Sequence, residues 1–382
     1  MSYNRSAKNF SYIAVGNAIG GAIQGIFYII FAALLDPENY GLMSYIIALA
    51  GTFSLFSRFG LPFTAVVYRG KEDHLRVNQA HVLALISTGI GAIILLPINQ
   101  YASLLCIGIS FFVINLQDLI GKKQYKKYFS TYMIKAISII TIPFLLYFLV
   151  DIPGIIIGMA IGNLLGSFNF FFSLNKKINR FREIKKDYRI LIHNFSVDAS
   201  SNLSRSIDKI LIVPLFGLIP VALYQFNLQI MLSVAILPLS LYTFLLSEES
   251  SGKKHSKISL LVILASVIIS ILIAFVSPYV FNEFFPKFVD GILGLQIIIF
   301  SIIPISINSI LYAKLQAKKS TKVGFVGIIK IGSLLALITI LGYQFEVLGF
   351  SIAVLISSCL ETVILYILHR KQKYFEESKF KG

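Results

Sequence analysis

Charge is scarce in this chain: Asp, Glu, Lys and Arg together make up 14% of 382 residues, against 56% hydrophobic residues and a mean hydropathy of +0.80. That balance excludes a soluble globular domain. Cysteine is scarcer still. Cys106 and Cys359 are the only two, both within apolar runs, so no disulfide framework is implied. No Gly-rich phosphate loop of the Walker type occurs, which excludes use of ATP by this chain itself. The five histidines, His74, His81, His193, His255 and His369, lack the spacing of metal ligands, so neither a metal nor any other cofactor is expected. On one side of the apolar runs every connection is short, which leaves no room for an external domain or an external active site.

What the chain has in abundance is membrane-length hydrophobic sequence. A bilayer core takes about 20 apolar residues of helix, and such windows begin near Phe10, Tyr40, Gln79, Tyr101, Phe129, Gly154, Ile190, Pro220, Ile258, Ile292, Val323 and Val347. The fold class expected is therefore an all-α polytopic membrane protein with twelve transmembrane helices. The first run, Phe10 to Leu35, is too long for a signal-peptide core and lacks a cleavage site, so it reads as a retained helix. A net charge of +16 would suggest nucleic acid in a soluble protein, but its placement explains it better. Alternate connections hold 28 of the 34 Lys and Arg residues, seven of them in 175–189, whereas the opposite connections hold only Lys287. By the positive-inside rule both termini are cytoplasmic, in the cell membrane.

The chain also matches itself at an offset of 195 residues. Lys123 falls on Lys318, Lys127 on Lys322, Lys135 on Lys330, Ser138 on Ser333, Asp151 on Glu346 and Gly154 on Gly349. Six spans separate the copies, an even number, so the repeat is parallel, with a pseudo-twofold axis along the membrane normal. The expected organisation is a six-helix bundle in 1–175, a basic cytoplasmic linker in 176–189, a second six-helix bundle in 190–370 and a cytoplasmic tail in 371–382. Two such bundles are the usual body plan of an alternating-access transporter, and the repeat favours transport over a channel.

Five cations fall inside the spans: Arg58, Lys135, Arg205, Lys209 and Lys330. In span seven, Asn194, Asp198, Ser201, Asn202, Arg205 and Lys209 share one helical face, with Asp208 at its margin. A mid-membrane charge costs at least ~2.5 kcal/mol, so this stripe faces a hydrated cavity or a protein interface. Local pairing of Arg205 with Asp198 or Asp208 is the structural alternative. Span one carries Asn17, Gly20, Gly21, Gln24 and Tyr28 on one face; Asn17 and Gln24 suit interhelical bonding or substrate contact. Arg58 has no acid near it on its own helix, and Gly60-Leu61-Pro62 beyond it suggests a bend beside a cavity, with snorkelling to the headgroups as the alternative. Lys330 and Glu361 lie at matching depth and could pair; Asp118 and Lys122 suit an end-of-helix pair. The excess of buried Lys and Arg fits an anionic phosphate or diphosphate ligand.

One turn adds a family resemblance. Leu34-Leu35-Asp36-Pro37-Glu38-Asn39-Tyr40-Gly41 resembles the L-G-P-E-x-Y-G turn of polysaccharide-lipid flippases. These are the Wzx-like O-antigen and teichoic-acid exporters of the multidrug/oligosaccharidyl-lipid/polysaccharide (MOP) superfamily. Phe59-Gly60-Leu61-Pro62, Asp208-Lys209-Ile210-Leu211 with Gly217 and Tyr224, and Leu315-Gln316-Ala317-Lys318-Lys319-Ser320 are similar to further patterns of that family. Asp36 replaces its usual glycine, and members often carry up to fourteen helices. The resemblance implies a MATE-like fold and transfer of a polyprenyl-(di)phosphate-linked oligosaccharide to the outer leaflet for surface polysaccharide assembly. The partners are then that lipid-linked sugar, membrane lipid and other assembly proteins, not nucleic acid. Under it Arg58, Arg205 and Lys209 would face water and hold phosphate, Asn17, Gln24 and Asn202 would contact sugar, and Asp198 or Glu361 could carry a coupling ion. A cation-coupled antiporter of small molecules on the same fold is the main rival. A membrane-embedded glycan-modifying enzyme fits the chain less well, and no catalytic residue is expected.

Overall fold

The computed structural model describes residues 2–168, 187–203, 206–239, 241–242, 245, 256–317 and 323–379. Most of the basic linker, Arg205 and the segments 246–255 and 318–322 lie outside the described residues. Every assigned element is a helix. In chain order these are α1 (Ser2–Leu34), α2 (Pro37–Arg58), α3 (Leu61–Gly70), α4 (His74–Leu95), α5 (Gln100–Gly121), α6 (Tyr125–Leu165), α7 (Tyr188–Asn202) and α8 (Ile207–Phe216). They continue as α9 (Leu218–Val234), α10 (Ser256–Phe284), α11 (Ile292–Ile298), α12 (Ile302–Ala317) and α13 (Val323–Lys379), with short 3-10 turns around α11. Among the described residues, eight helical stretches are long and apolar enough to cross a membrane. The chain is a multi-pass membrane protein. Its exposed surface includes Phe275 at 84% and Leu149 at 77%, residues that hydrocarbon solvates and water does not.

The turn that carries the family resemblance is a helix start. Asp36 caps α2, accepting from the Asn39 backbone N–H at 2.9 Å and the Asn39 amide at 2.8 Å. Pro37 opens the helix without wasting a donor, and Glu38 favours the positive end of the helix dipole. Tyr40 is fully buried, edge-on to Phe226 at 6.3 Å and to Phe288 at 5.4 Å. The Asn39 N–H holds the Asp36 carboxyl below its ordinary value. Its contribution to stability is thus complete above the unfolded value of about 3.9 and is lost as the pH falls through the folded one. Asp36→Ala is expected to cost about 1 kcal/mol, with the difference from the parent vanishing in acid; thermal unfolding in detergent at pH 7 and below pH 3 checks both.

The two longest helices each contain a sharp break. α6 reverses at Val150 and Asp151, where Asp151 has φ 54° and ψ −141°. α13 does so at Glu346, with φ 48° and ψ −125°. These positions are the repeat pair Asp151 and Glu346, and the shared torsions give the internal duplication a structural counterpart. Beyond the first break the chain folds back on itself. A Cβ on Gly154 would lie 2.2 Å from the Leu146 carbonyl oxygen, and one on Gly158 2.5 Å from the Pro143 nitrogen. Gly162 faces Ile139, and Gly166 faces Lys135. Glycine at every fourth position therefore lets two antiparallel helices touch backbone to backbone. In the second copy Gly349 meets the Leu341 carbonyl in the same way.

The contacts divide the chain into two compact units, residues 1–27 with 42–210, and residues 28–41 with 211–382. α7 packs on α3 within the first unit, through Asn194 and Thr64 at 2.9 Å.

Candidate functional site

The second apolar run does not continue as one helix, as the Gly-Leu-Pro sequence suggested. α2 stops at Arg58, Phe59 and Gly60 take φ of 41° and 69°, and α3 starts at Leu61-Pro62. Glycine is required at position 60 for two reasons. Other residues are strained at this φ, and a Cβ would lie 2.5 Å from the Phe195 backbone nitrogen and 2.9 Å from the Leu191 oxygen. The backbone of α7 thus lies directly on the break. Phe59 stacks on Phe195, ring centroids 4.6 Å apart.

One turn further along α7, this contact sets Asp198 opposite Arg58. Both are buried, at 2% and 3% exposure. The Arg58 Nε donates to the Ser54 carbonyl at 2.9 Å, and Nη2 approaches Asp198 Oδ2 at 3.8 Å. That distance is an ion pair but not a hydrogen bond. Among the described residues, Arg58 Nη1 has no acceptor and Asp198 Oδ2 has no donor. The Asn202 amide donates to Asp198 Oδ1 at 2.7 Å, so one carboxylate oxygen is engaged and the other is not. A buried guanidinium with donors in reserve is a receptor for an oxyanion, since its planar fork matches the oxygens of phosphate or carboxylate. Leaving such donors unmade is costly, which makes the loose pair a competent acceptor of a better partner.

The remaining expected residues are distributed as follows. Lys209 Nζ donates to Asp208 at 3.0 Å, and both are buried. Arg58 and Lys209 are both buried, each beside an acid. Of the stripe of span seven, Asn194, Asp198 and Asn202 lie on α7, which ends at Asn202, and Lys209 lies on α8, which begins at Ile207. Asp198 faces Arg58 across the helix interface, and the Asn202 amide turns back to its own helix. Asn17 is exposed and accepts from the Tyr128 hydroxyl at 2.7 Å; Gln24 is exposed on α1. Glu361 belongs to the other compact unit. Its carboxylate accepts from Lys330 at 2.7 Å, Asn308 at 2.8 Å and Tyr312 at 2.8 Å, so the anticipated Lys330 pair is present. Asp118 bonds Lys122 as anticipated and, in addition, Arg69 at 2.6 Å. Reading the sequence missed the Arg58–Asp198 pair. An unmatched base in span two and an acid in span seven were its available signal. The parts of Ser54 and Thr64 left no trace in the sequence, whereas Asn194 stood on the polar stripe of span seven.

The helical fold is similar to that of solved structures of the MurJ and MATE kind. Residues 6–104 match the family described as "Polysaccharide biosynthesis protein", which bears out the resemblance seen in the turn before α2. Over its whole length the chain is similar to an uncharacterized membrane protein, MJ1375, of Methanocaldococcus jannaschii, at 23% identity covering 92% of this chain and 94% of the relative. The fold is similar to Lipid II flippase MurJ in an inward closed conformation, with a TM-score of 0.76, 17% identity, and coverage of 94% of this chain and 87% of that one. It is also similar to an inward-facing multidrug resistance MATE family transporter of the MOP superfamily, with a TM-score of 0.63, 16% identity, and 96% of both chains covered.

Proposed function

We propose that the chain is a flippase that carries a polyprenyl-(di)phosphate-linked oligosaccharide from the cytoplasmic to the outer leaflet, by alternating access, for surface polysaccharide assembly. The single observation that supports this most is the Arg58 guanidinium: buried, only loosely paired with Asp198, and carried on a MurJ-like fold. In this reading the phosphate displaces Asp198 from Arg58, and Arg205 and a Lys209 released from Asp208 add positive potential. Asn17, Gln24 and Asn202 contact sugar hydroxyls. The polyprenyl tail stays in the bilayer; the task of the protein is to shield the polar head, for which hydrocarbon offers no hydrogen bonds. Twelve crossings with cytoplasmic termini accompany this reading: the breaks at Asp151 and Glu346 turn α6 and α13 into two spans each, and the α2–α3 and α7–α8 runs supply one each. Asp198 and Glu361 are the candidates for a coupling ion.

Similarity to MATE transporters keeps a small-molecule antiporter as the second reading. Protein reconstituted in vesicles separates the two. Movement of a lipid-linked sugar between leaflets, scored by its accessibility to an external glycosidase, is the expected result. Extrusion of cationic dye with no lipid-sugar transfer would overturn it.

A further inference from the structure

Lys135 and Lys330 occupy the same position in the two copies of the repeat, yet among the described residues only Lys330 has an acid beside it. Lys330 donates to Glu361, and Asn308 and Tyr312 hold the same carboxylate from either side. In the first copy the position matching Glu361 is Gly166. A Cβ on Gly166 would lie 3.1 Å from the Lys135 Cβ, so the two positions face each other across the hairpin as Lys330 and Glu361 do, with no acid supplied. Among the described residues Lys135 makes no ion pair. Its Nζ lies 4.8 Å from the centre of the Phe112 ring and 5.7 Å from that of Tyr132. Snorkelling does not explain this placement. Phe112 precedes the end of α5 at Gly121 by nine residues, about 13 Å of helical rise. The ammonium sits at the depth of that ring and not at the helix end.

Aromatic faces attract a cation but carry no net charge, so among the described residues no acid compensates the positive charge. Lys135 as a residue is half-buried. Tyr132 packs against Gly20 of α1, and Tyr128 bonds the exposed Asn17, so polar atoms of α1 adjoin the same place. We propose that Lys135, set between Phe112 and Tyr132 and opposite Gly166, is a second phosphate-binding position, at which a phosphate group supplies the countercharge that Glu361 supplies to Lys330. The inference rests on the lipid-phosphate reading above and places a contact apart from Arg58.

The test uses the full-length protein in nanodiscs, titrated with a polyprenyl phosphate and, in a parallel arm, with inorganic phosphate. Lys135→Met is expected to weaken polyprenyl phosphate binding roughly tenfold or more, the loss of one charge-assisted hydrogen bond, and Lys135→Arg to restore it. Lys330→Met should lower thermal stability and leave affinity unchanged. An equal loss for inorganic phosphate would uphold the site and assign it to the free anion as well. Parental affinity in Lys135→Met, with binding lost in Arg58→Gln/Asp198→Asn, would overturn the Lys135 site and leave the flippase reading standing. Parental affinity in both variants would remove both.

Discussion

The double variant Arg58→Gln/Asp198→Asn is expected to accumulate in the membrane at the parental level and yet to transfer no lipid-linked sugar. The reasoning turns on what each single change leaves behind. Removing Arg58 alone strands a buried carboxylate, and removing Asp198 alone strands a guanidinium; breaking a buried pair in this way costs roughly 3–5 kcal/mol. Charge reversal at Arg58 would set two acids side by side and confuse misfolding with loss of function. Neutralising both partners removes the pair whole, a change that is often near neutral for stability. Gln and Asn keep much of the volume and the hydrogen bonds to Ser54 and Asn202. Only the capacity to bind an oxyanion is lost. Membrane abundance, thermal unfolding in detergent and leaflet transfer in vesicles together check the outcome. Normal transfer by a well-folded double variant would remove this centre from the mechanism.

A larger structural effect is expected at the hairpin. Gly154→Val should leave little or no folded protein. Its Cβ would stand 2.2 Å from the Leu146 oxygen and 2.5 Å from the Leu146 carbonyl carbon. Those are backbone atoms, which cannot swing aside as a side chain can. Overpacking with side-chain relaxation alone costs 1–3 kcal/mol, and here the whole helix pair must part. Gly89→Val is the matched control, since nothing lies within 4 Å of a Cβ there, and it should fold normally. Size-exclusion profiles and thermal unfolding of the two variants give the comparison; a monodisperse Gly154→Val protein with parental stability would contradict the close contact.

Several of these features were legible in the sequence because they depend on local chemistry or on register. The offset of 195 residues paired Asp151 with Glu346, and both carry the same unusual backbone torsions. Lys330 and Glu361 could be matched because they sit at equal depth in neighbouring spans. Pro62 after Gly60 announced the bend. Arg58 and Asp198 are different: 140 residues separate them, and nothing in either helix says which face meets which. Along its own span in the sequence Asp198 has Arg205 or Lys209 as partners. Whether a buried cation stands bare or paired depends on one interhelical approach, set here by the missing side chain of Gly60. Periodicity cannot report that. Asn202 shows the same limit at smaller scale, since an amide on a polar stripe can as readily bond its own helix as a ligand.

Asp151 and Glu346 hold a conformation in which glycine would be the relaxed choice, and in both copies an acid stands there instead. Torsional ease has therefore not decided the residue at either hairpin tip. A carboxylate resists immersion in hydrocarbon far more than glycine does. Each acid then works as a float, fixing how far its own helix pair can sink.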